Sequence, residues 1–188
     1  MSSIDQIMEF NQQFVKSKQY EKYRTTRYPN KKLVILTCMD TRLTEMLPRA
    51  LNLSNGDAKI IKNAGAVISH PFGSIMRSII VSLYQLQAEE VAVIGHYDCG
   101  MTGLRANMIM DKAKENGLDL SQIEAAAYAG IDIDKWLEGF DDVEDNVRHS
   151  VEIIKRHPLL PKNTLVHGLV ISPETGELTM IEKDEPYQ

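Results

Sequence analysis

With 188 residues, 43% hydrophobic and 25% charged, the chain has ordinary globular composition and is long enough to bury a sizeable core, so residues 1–188 are expected to form a single domain. A net charge of −5 gives no overall attraction to nucleic acid, and no apolar run approaches a membrane span, so neither nucleic acid nor membrane is an expected partner. The opening Met1-Ser2-Ser3-Ile4-Asp5-Gln6 lacks the basic and apolar regions of a secretory signal, which points to the cytoplasm, where a structural disulfide is not the expected use of two cysteines.

Residues 3–20 read as an amphipathic helix. Ser3 and Gln6 have capping-box spacing, and Ile4, Ile7, Met8, Phe14 and Val15 share a face interrupted only by Asn11. That face could pack on its own domain or on a partner. The stretch from Lys16 to Lys32 is locally basic and reads as a solvated arm. Leu33 to Thr37 then reads as a buried strand running into Cys38, Asp40 and Arg42 at alternate positions. If the extended geometry persists past Cys38, all three side chains point one way. A short helix or turn holding Pro48 follows over 43–53, then the turn Asn55-Gly56-Asp57 and a second strand over 58–62. Asn63-Ala64-Gly65 closes that strand, and Gly65 permits a positive φ or a close backbone approach.

Beyond the break at His70-Pro71, a helix over 74–87 presents Ile75, Met76, Ile79, Ile80, Leu83 and Leu86 on one broad face. It leads into the strand Val91 to Ile94, and such a strand–helix–strand unit joins parallel strands by a right-handed crossover. The third strand repeats the plan of the first: an apolar run, then a polar end carrying His96, Cys99 and Gly100. A helix over 102–116 should stop at Gly117. Residues 118–142 carry little pattern. A helix over 141–156 begins acidic and ends basic, as the helix dipole favours, and Pro158 stops it. A hairpin over 164–171 and 177–181 closes the chain. The predicted fold is α/β: a mostly parallel central sheet flanked by helices, with an antiparallel closing strand. Ligands of such sheets bind beyond the carboxyl ends of the strands, where both polar clusters lie.

Two thiolates and an imidazole are three zinc-type ligands, and three protein ligands with a fourth position left over is the arrangement of a catalytic zinc. Asp40 is the nearby group with a claim on that position. A Cys38–Cys99 disulfide is the competing reading, but it explains neither His96 nor the Asp40/Arg42 pair. Among the other histidines, His149 and His157 read as surface residues and His167 as packed or hydrogen-bonded. His70 is weighed as a proton shuttle against an idle loop histidine. Tyr97 and Asp98 read as structural.

Cys38-x-Asp40-x-Arg42 followed by His96-x-x-Cys99-Gly100 resembles the beta-class carbonic anhydrases, in particular their small branch. The resemblance extends through Lys62-Asn63-Ala64-Gly65 to Thr175-Gly176-Glu177-Leu178 and spans roughly residues 30–182. It implies one Zn²⁺ per chain on Cys38, His96 and Cys99, and interconversion of carbon dioxide and bicarbonate by hydroxide generated at the zinc. It further implies that Asp40 alternates between Arg42 and the metal, as fourth ligand in a closed state, and that Gly65 and Gly100 border substrate or solvent. A homodimer or dimer of dimers is implied too, with the helical arm 1–30 lying across a partner subunit. Hydrolysis of carbonyl sulfide or carbon disulfide on the same scaffold is an alternative. A non-catalytic zinc domain with Asp40 permanently ligated is another, although such an aspartate would not need Arg42.

Overall fold

The computed structural model describes residues 1–119, 123 and 128–185. Seven residues of the weakly patterned stretch 118–142 fall outside them. In chain order the described elements are α1 (Ser3–Lys16), a 3₁₀ turn (Gln19–Tyr23), β1 (Leu33–Cys38), α2 (Leu43–Ala50), β2 (Ala58–Asn63), a 3₁₀ turn (Ala64–Ala66), α3 (Ser74–Gln85), β3 (Glu90–His96), α4 (Ala106–Glu115), α5 (Ile133–Leu137), α6 (Val143–Lys155), β4 (Leu165–Ile171) and β5 (Leu178–Glu182).

The five strands form one sheet in the order β2-β1-β3-β4-β5. The first three pairings are parallel and β4–β5 is antiparallel, as the sequence predicts. Strand alternation splits the core in two. Val34, Leu36, Val91, Val93, Val166 and Val170 face Met76, Ile79 and Leu83 of α3 and Val147, Val151 and Ile154 of α6. Ile35, Ala92, Ile94 and Ile171 face Leu43 and Leu47 of α2. Each fully buried Val, Ile or Leu contributes about 1.5–3 kcal/mol of transfer free energy. Helix α6 crosses β3 so closely that a Cβ on Gly95 would lie 2.8 Å from Val143 and 2.9 Å from Val147.

Several boundaries move, each for a local reason. Helix α1 stops at Lys16 rather than Tyr20, because the Ser17 hydroxyl bonds the Gln13 carbonyl at 2.7 Å and Lys18 turns left-handed at φ +57°. Its capping box is Ser2–Asp5 rather than Ser3–Gln6. Helix α4 starts at Ala106 rather than Thr102, since Gly103 N–H donates to the Phe140 carbonyl at 2.7 Å and Gly139 N–H to the Leu104 carbonyl at 3.0 Å, spending that backbone on a crossing loop. The apolar face of α1 is left largely uncovered by the described residues: Ile4, Ile7, Met8 and Val15 are exposed, and only Phe14 is half-buried, stacked on Tyr23 at 6.3 Å. His157, read as a surface residue, is buried, with its ring 5.0 Å from that of Phe72 and Nδ1 accepting from Leu159 N–H. His149 is exposed, and His167 Nδ1 accepts from Asp184 N–H at 3.2 Å, both as expected.

Candidate metal centre

Strand β1 ends on Cys38 and β3 ends on His96, and the turn after β3 carries Cys99 back toward them. The strands are hydrogen-bonded neighbours, with Thr37 paired to Ile94, so their ends meet. The result is a group in which Cys38 Sγ, His96 and Cys99 Sγ offer ligand atoms within 4.8 Å of one another, all three residues buried. The sulfurs are 3.9 Å apart and unbonded. A tetrahedral zinc with Zn–S bonds of about 2.3 Å sets its sulfurs about 3.8 Å apart, so the spacing fits a shared ion.

His96 supplies the second test of fit. Its Nδ1 lies 2.8 Å from the Tyr97 carbonyl, which can only accept, so Nδ1 carries the hydrogen. Nε2 is therefore left with a lone pair, and it is buried with no hydrogen-bond partner among the described residues. A polar atom orphaned this way costs about 1–3 kcal/mol unless something binds it. An imidazole nitrogen aimed at two thiols, its other nitrogen locked by a carbonyl, matches the usual support of a metal-ligating histidine.

The thiols polarise one another. Cys38 is held well below the ordinary thiol range, first by the Cys99 S–H, against the cost of burial, and then by the N–H groups of Gly65 and Asp40. The same proximity, together with burial, pushes Cys99 up. Only a cation would let both be thiolates at once.

The chain does not stay extended after Cys38. Met39 and Asp40 leave the sheet, and Arg42 has helical φ −62° and ψ −28° at the start of α2. Asp40 and Arg42 meet through a turn instead. Arg42 N–H donates to Asp40 Oδ1 at 2.9 Å, while Nε reaches Oδ1 at 3.0 Å and Nη2 reaches Oδ2 at 2.9 Å. This bidentate grip, first among several causes, holds the Asp40 carboxyl down to about 2. Asp40 Oδ2 nevertheless lies only 3.8 Å from His96 Nε2. The carboxylate thus sits at the edge of the ligand cluster and is claimed by Arg42.

Gly65 adopts φ +74° and donates its N–H to Cys38 Sγ at 3.3 Å. Gly100 is exposed in the turn after Cys99, with open space where a Cβ would point. His70 is exposed in its loop, with Nδ1 accepting from Phe72 N–H. Two contributors escape a sequence reading. Asn146 of α6 donates to the Gly65 carbonyl at 3.0 Å, 81 residues away, and nothing in its neighbourhood signals this. Asp98 donates nothing but accepts twice from Arg42, on its carboxylate at 2.8 Å and on its carbonyl at 2.9 Å. Its place between two ligands, in a turn at φ +52° that Asp tolerates better than most residues, is a signal that could have found it.

The family model described as carbonic anhydrase matches residues 33–178. The carbonic anhydrase homologue YvdA of Bacillus subtilis (strain 168) is 60% identical over 181 residues, covering 96% of this chain and 92% of its own. A carbon disulfide hydrolase of Acidithiobacillus thiooxidans is 30% identical over 156 residues, covering 79% of this chain and 76% of its own. Among solved structures, the beta-carbonic anhydrase isoform I (TvaCA1) from Trichomonas vaginalis superposes with a TM-score of 0.89 at 34% identity, covering 98% of this chain and 100% of that one.

Proposed function

The chain belongs to the beta-class carbonic anhydrase family, and from that premise we propose that it is a lyase interconverting carbon dioxide and bicarbonate at a zinc held by Cys38, His96 and Cys99. The observation that carries the reading is His96 Nε2, which has no hydrogen-bond partner among the described residues, lies buried with two thiols and is edged by a carboxylate that Arg42 holds aside. Zinc bound there would lower the pKa of water from about 15.7 to about 7 and so supply hydroxide at neutral pH.

The remaining work falls to the chain's own side chains. Cys38 and Cys99 would ligate as thiolates and cancel the charge of a divalent ion, while Tyr97's carbonyl keeps His96 in the tautomer that presents Nε2. Asp40 stays ionised throughout the working range, because Arg42 holds it near 2. A carboxylate that acidic retains a proton poorly. Its part is to accept a hydrogen bond, orient the attacking oxygen and pass the proton on to solvent. Hydration releases one proton per bicarbonate, so this exit is part of the turnover. Gly65 N–H, pinned through Asn146, keeps the Cys38 sulfur in place. The observed Asp40–Arg42 engagement favours this catalytic reading over a zinc domain with Asp40 as permanent ligand.

The carbon disulfide hydrolase relative supports a second substrate class on the same site. Carbon dioxide, carbonyl sulfide and carbon disulfide are all linear electrophiles open to the same attack. Zinc content and the turnover of all three, measured on one preparation, test the reading. One zinc per chain with rapid carbon dioxide hydration supports it. Zinc-loaded protein inert toward carbon dioxide from neutral to alkaline pH would overturn it, and preferential turnover of carbon disulfide would reassign the substrate.

We further propose a cytoplasmic homodimer of single-domain chains. Helix α1 leaves Ile4, Ile7, Met8 and Phe10 exposed, and the second sheet face keeps an apolar trough of about 560 Å³ lined by Leu33, Ile35, Ala92, Ile94, Leu165 and Leu169. Acidic Glu90, Asp184 and Glu185 border the trough, and basic residues follow α1. A partner's arm lying in this trough would cover both apolar surfaces. The two unbonded cysteines suit a reducing compartment.

A further inference from the structure

Arg42 has two anchors, and only one of them is the carboxylate it is paired with. Nε and Nη2 hold Asp40, while Nη1 donates to Asp98 Oδ2 at 2.8 Å and Nη2 also donates to the Asp98 carbonyl at 2.9 Å. The geometry assigns Asp98 as a positioning residue that holds Arg42 independently of Asp40; its consequence for the metal rests on the zinc-centre reading given above.

An arginine tied to Asp40 alone would follow that carboxylate wherever it moved, because the pair would rotate as one exposed unit. Asp98 removes that freedom. It fixes the guanidinium plane from the far edge, using one carboxylate oxygen and one backbone carbonyl of a single residue. Arg42 is then a stationary fork to which Asp40 binds or from which it departs. A planar, five-donor guanidinium can serve both partners at once, which a lysine ammonium could not do in this geometry.

The location of the anchor adds a coupling. Asp98 lies in the turn between His96 and Cys99, whereas Asp40 and Arg42 follow Cys38. The contact therefore ties the turn carrying two of the ligands to the segment carrying the third. Asp98 holds a left-handed φ of +52° while making both contacts. The backbone conformation is thus part of the device, and a test variant must preserve it. The Asp98 side chain is 84% exposed, so its carboxylate share is modest, and the carbonyl contact survives loss of the side chain.

Asp98→Gly removes the carboxylate and keeps the left-handed turn, and Asp98→Asn keeps an oxygen acceptor without the charge. The first measurement uses zinc-free, reduced protein and the ¹⁵N resonances of the Arg42 side chain. In the wild type the Nη signals should show slow rotation and slow exchange. In Asp98→Gly the Nη1 signal should collapse toward free-arginine behaviour while Nε–H and Nη2, still bound to Asp40 and to the backbone carbonyl at 98, persist, and Asp98→Asn should restore most of the Nη1 protection. The second measurement titrates thiocyanate into cobalt(II)-substituted protein, followed by the cobalt absorption bands. A less firmly held Arg42 leaves Asp40 a stronger competitor for the metal, so the anion should bind about threefold to fivefold more weakly to Asp98→Gly, an effect the size of one exposed charged contact. Unchanged Arg42 resonances in Asp98→Gly would overturn the anchor. Altered resonances with unchanged thiocyanate affinity would confine Asp98 to the arginine and overturn its bearing on the metal. A wild type that takes up no cobalt would sink the zinc-centre reading, and the resonances alone would then decide the role of Asp98.

Discussion

Gly65→Ala tests how tightly the thiolate side of the centre is built. Gly65 sits at φ +74°, and a Cβ there would lie 2.9 Å from both Met101 Cγ and Phe140 Cε1. A left-handed alanine costs about 1–2 kcal/mol, and forcing a methyl into a filled space adds about 1–3 kcal/mol. The expected loss is about 2–5 kcal/mol, toward the lower end if Met101 shifts. Gly117 is the internal control. It has φ +86° with no atom of the described residues within 4 Å of an added Cβ, so Gly117→Ala should lose only the backbone share, about 1–2 kcal/mol. Urea unfolding of wild type and both variants reads the difference in midpoint at constant slope. The same strain would tilt the Gly65 N–H away from Cys38 Sγ, so zinc affinity, measured by chelator competition, should fall about tenfold in Gly65→Ala alone, in the range seen when a ligand's supporting contact is removed. Equal losses of stability in the two variants would refute the crowding argument, and unchanged zinc affinity would refute the role given to the Gly65 N–H.

Cys38→Ser and Cys99→Ser should each lose most bound zinc and activity together, since ligation of this kind contributes on the order of 10 kcal/mol; zinc stoichiometry after gel filtration reads this, and full retention by both would remove them as ligands. Arg42→Ala should keep zinc yet lose activity steeply, because Asp40, no longer held near 2, becomes free to approach the metal; hydration rate against zinc content checks it, and Arg42→Lys should not rescue. Asp184 is drawn below the usual carboxylate range by Lys155 and the Val166 N–H against the cost of burial, so its contribution exists above that range and disappears as pH falls through its lowered value. Asp184→Asn should therefore lower the unfolding free energy read from urea titration at pH 7 by about 1 kcal/mol and make no difference in strong acid. Deleting residues 1–30 should weaken the dimer, and sedimentation at low concentration showing an unchanged dimer would remove the arm from the interface.

Much of this protein is written locally. The apolar strand runs, the helix faces of α3 and α6, the closing hairpin and the ligand types Cys38, His96 and Cys99 are readable because strand and helix periods and donor chemistry are properties of neighbouring residues. That both ligand clusters lie at the carboxyl ends of strands follows from the sequence, but their meeting is decided by the strand order, which seats β1 beside β3 although β2 lies between them in the chain. What the sequence could not determine depends on contacts across long separations. The extended geometry expected after Cys38 gives way to a turn, and Arg42 reaches Asp40 through that turn. The orphaned Nε2, the grip of Asp98 on Arg42 across 56 residues and the Asn146 bond to Gly65 across 81 all arise from side chains that only the folded sheet brings together. His157 is buried with Phe72 lying against its ring, and the apolar face of α1 is left largely exposed by the described residues. A periodic pattern states that a face is apolar; which surface covers it is decided by the rest of the molecule, because burial is a property of two surfaces and not of one.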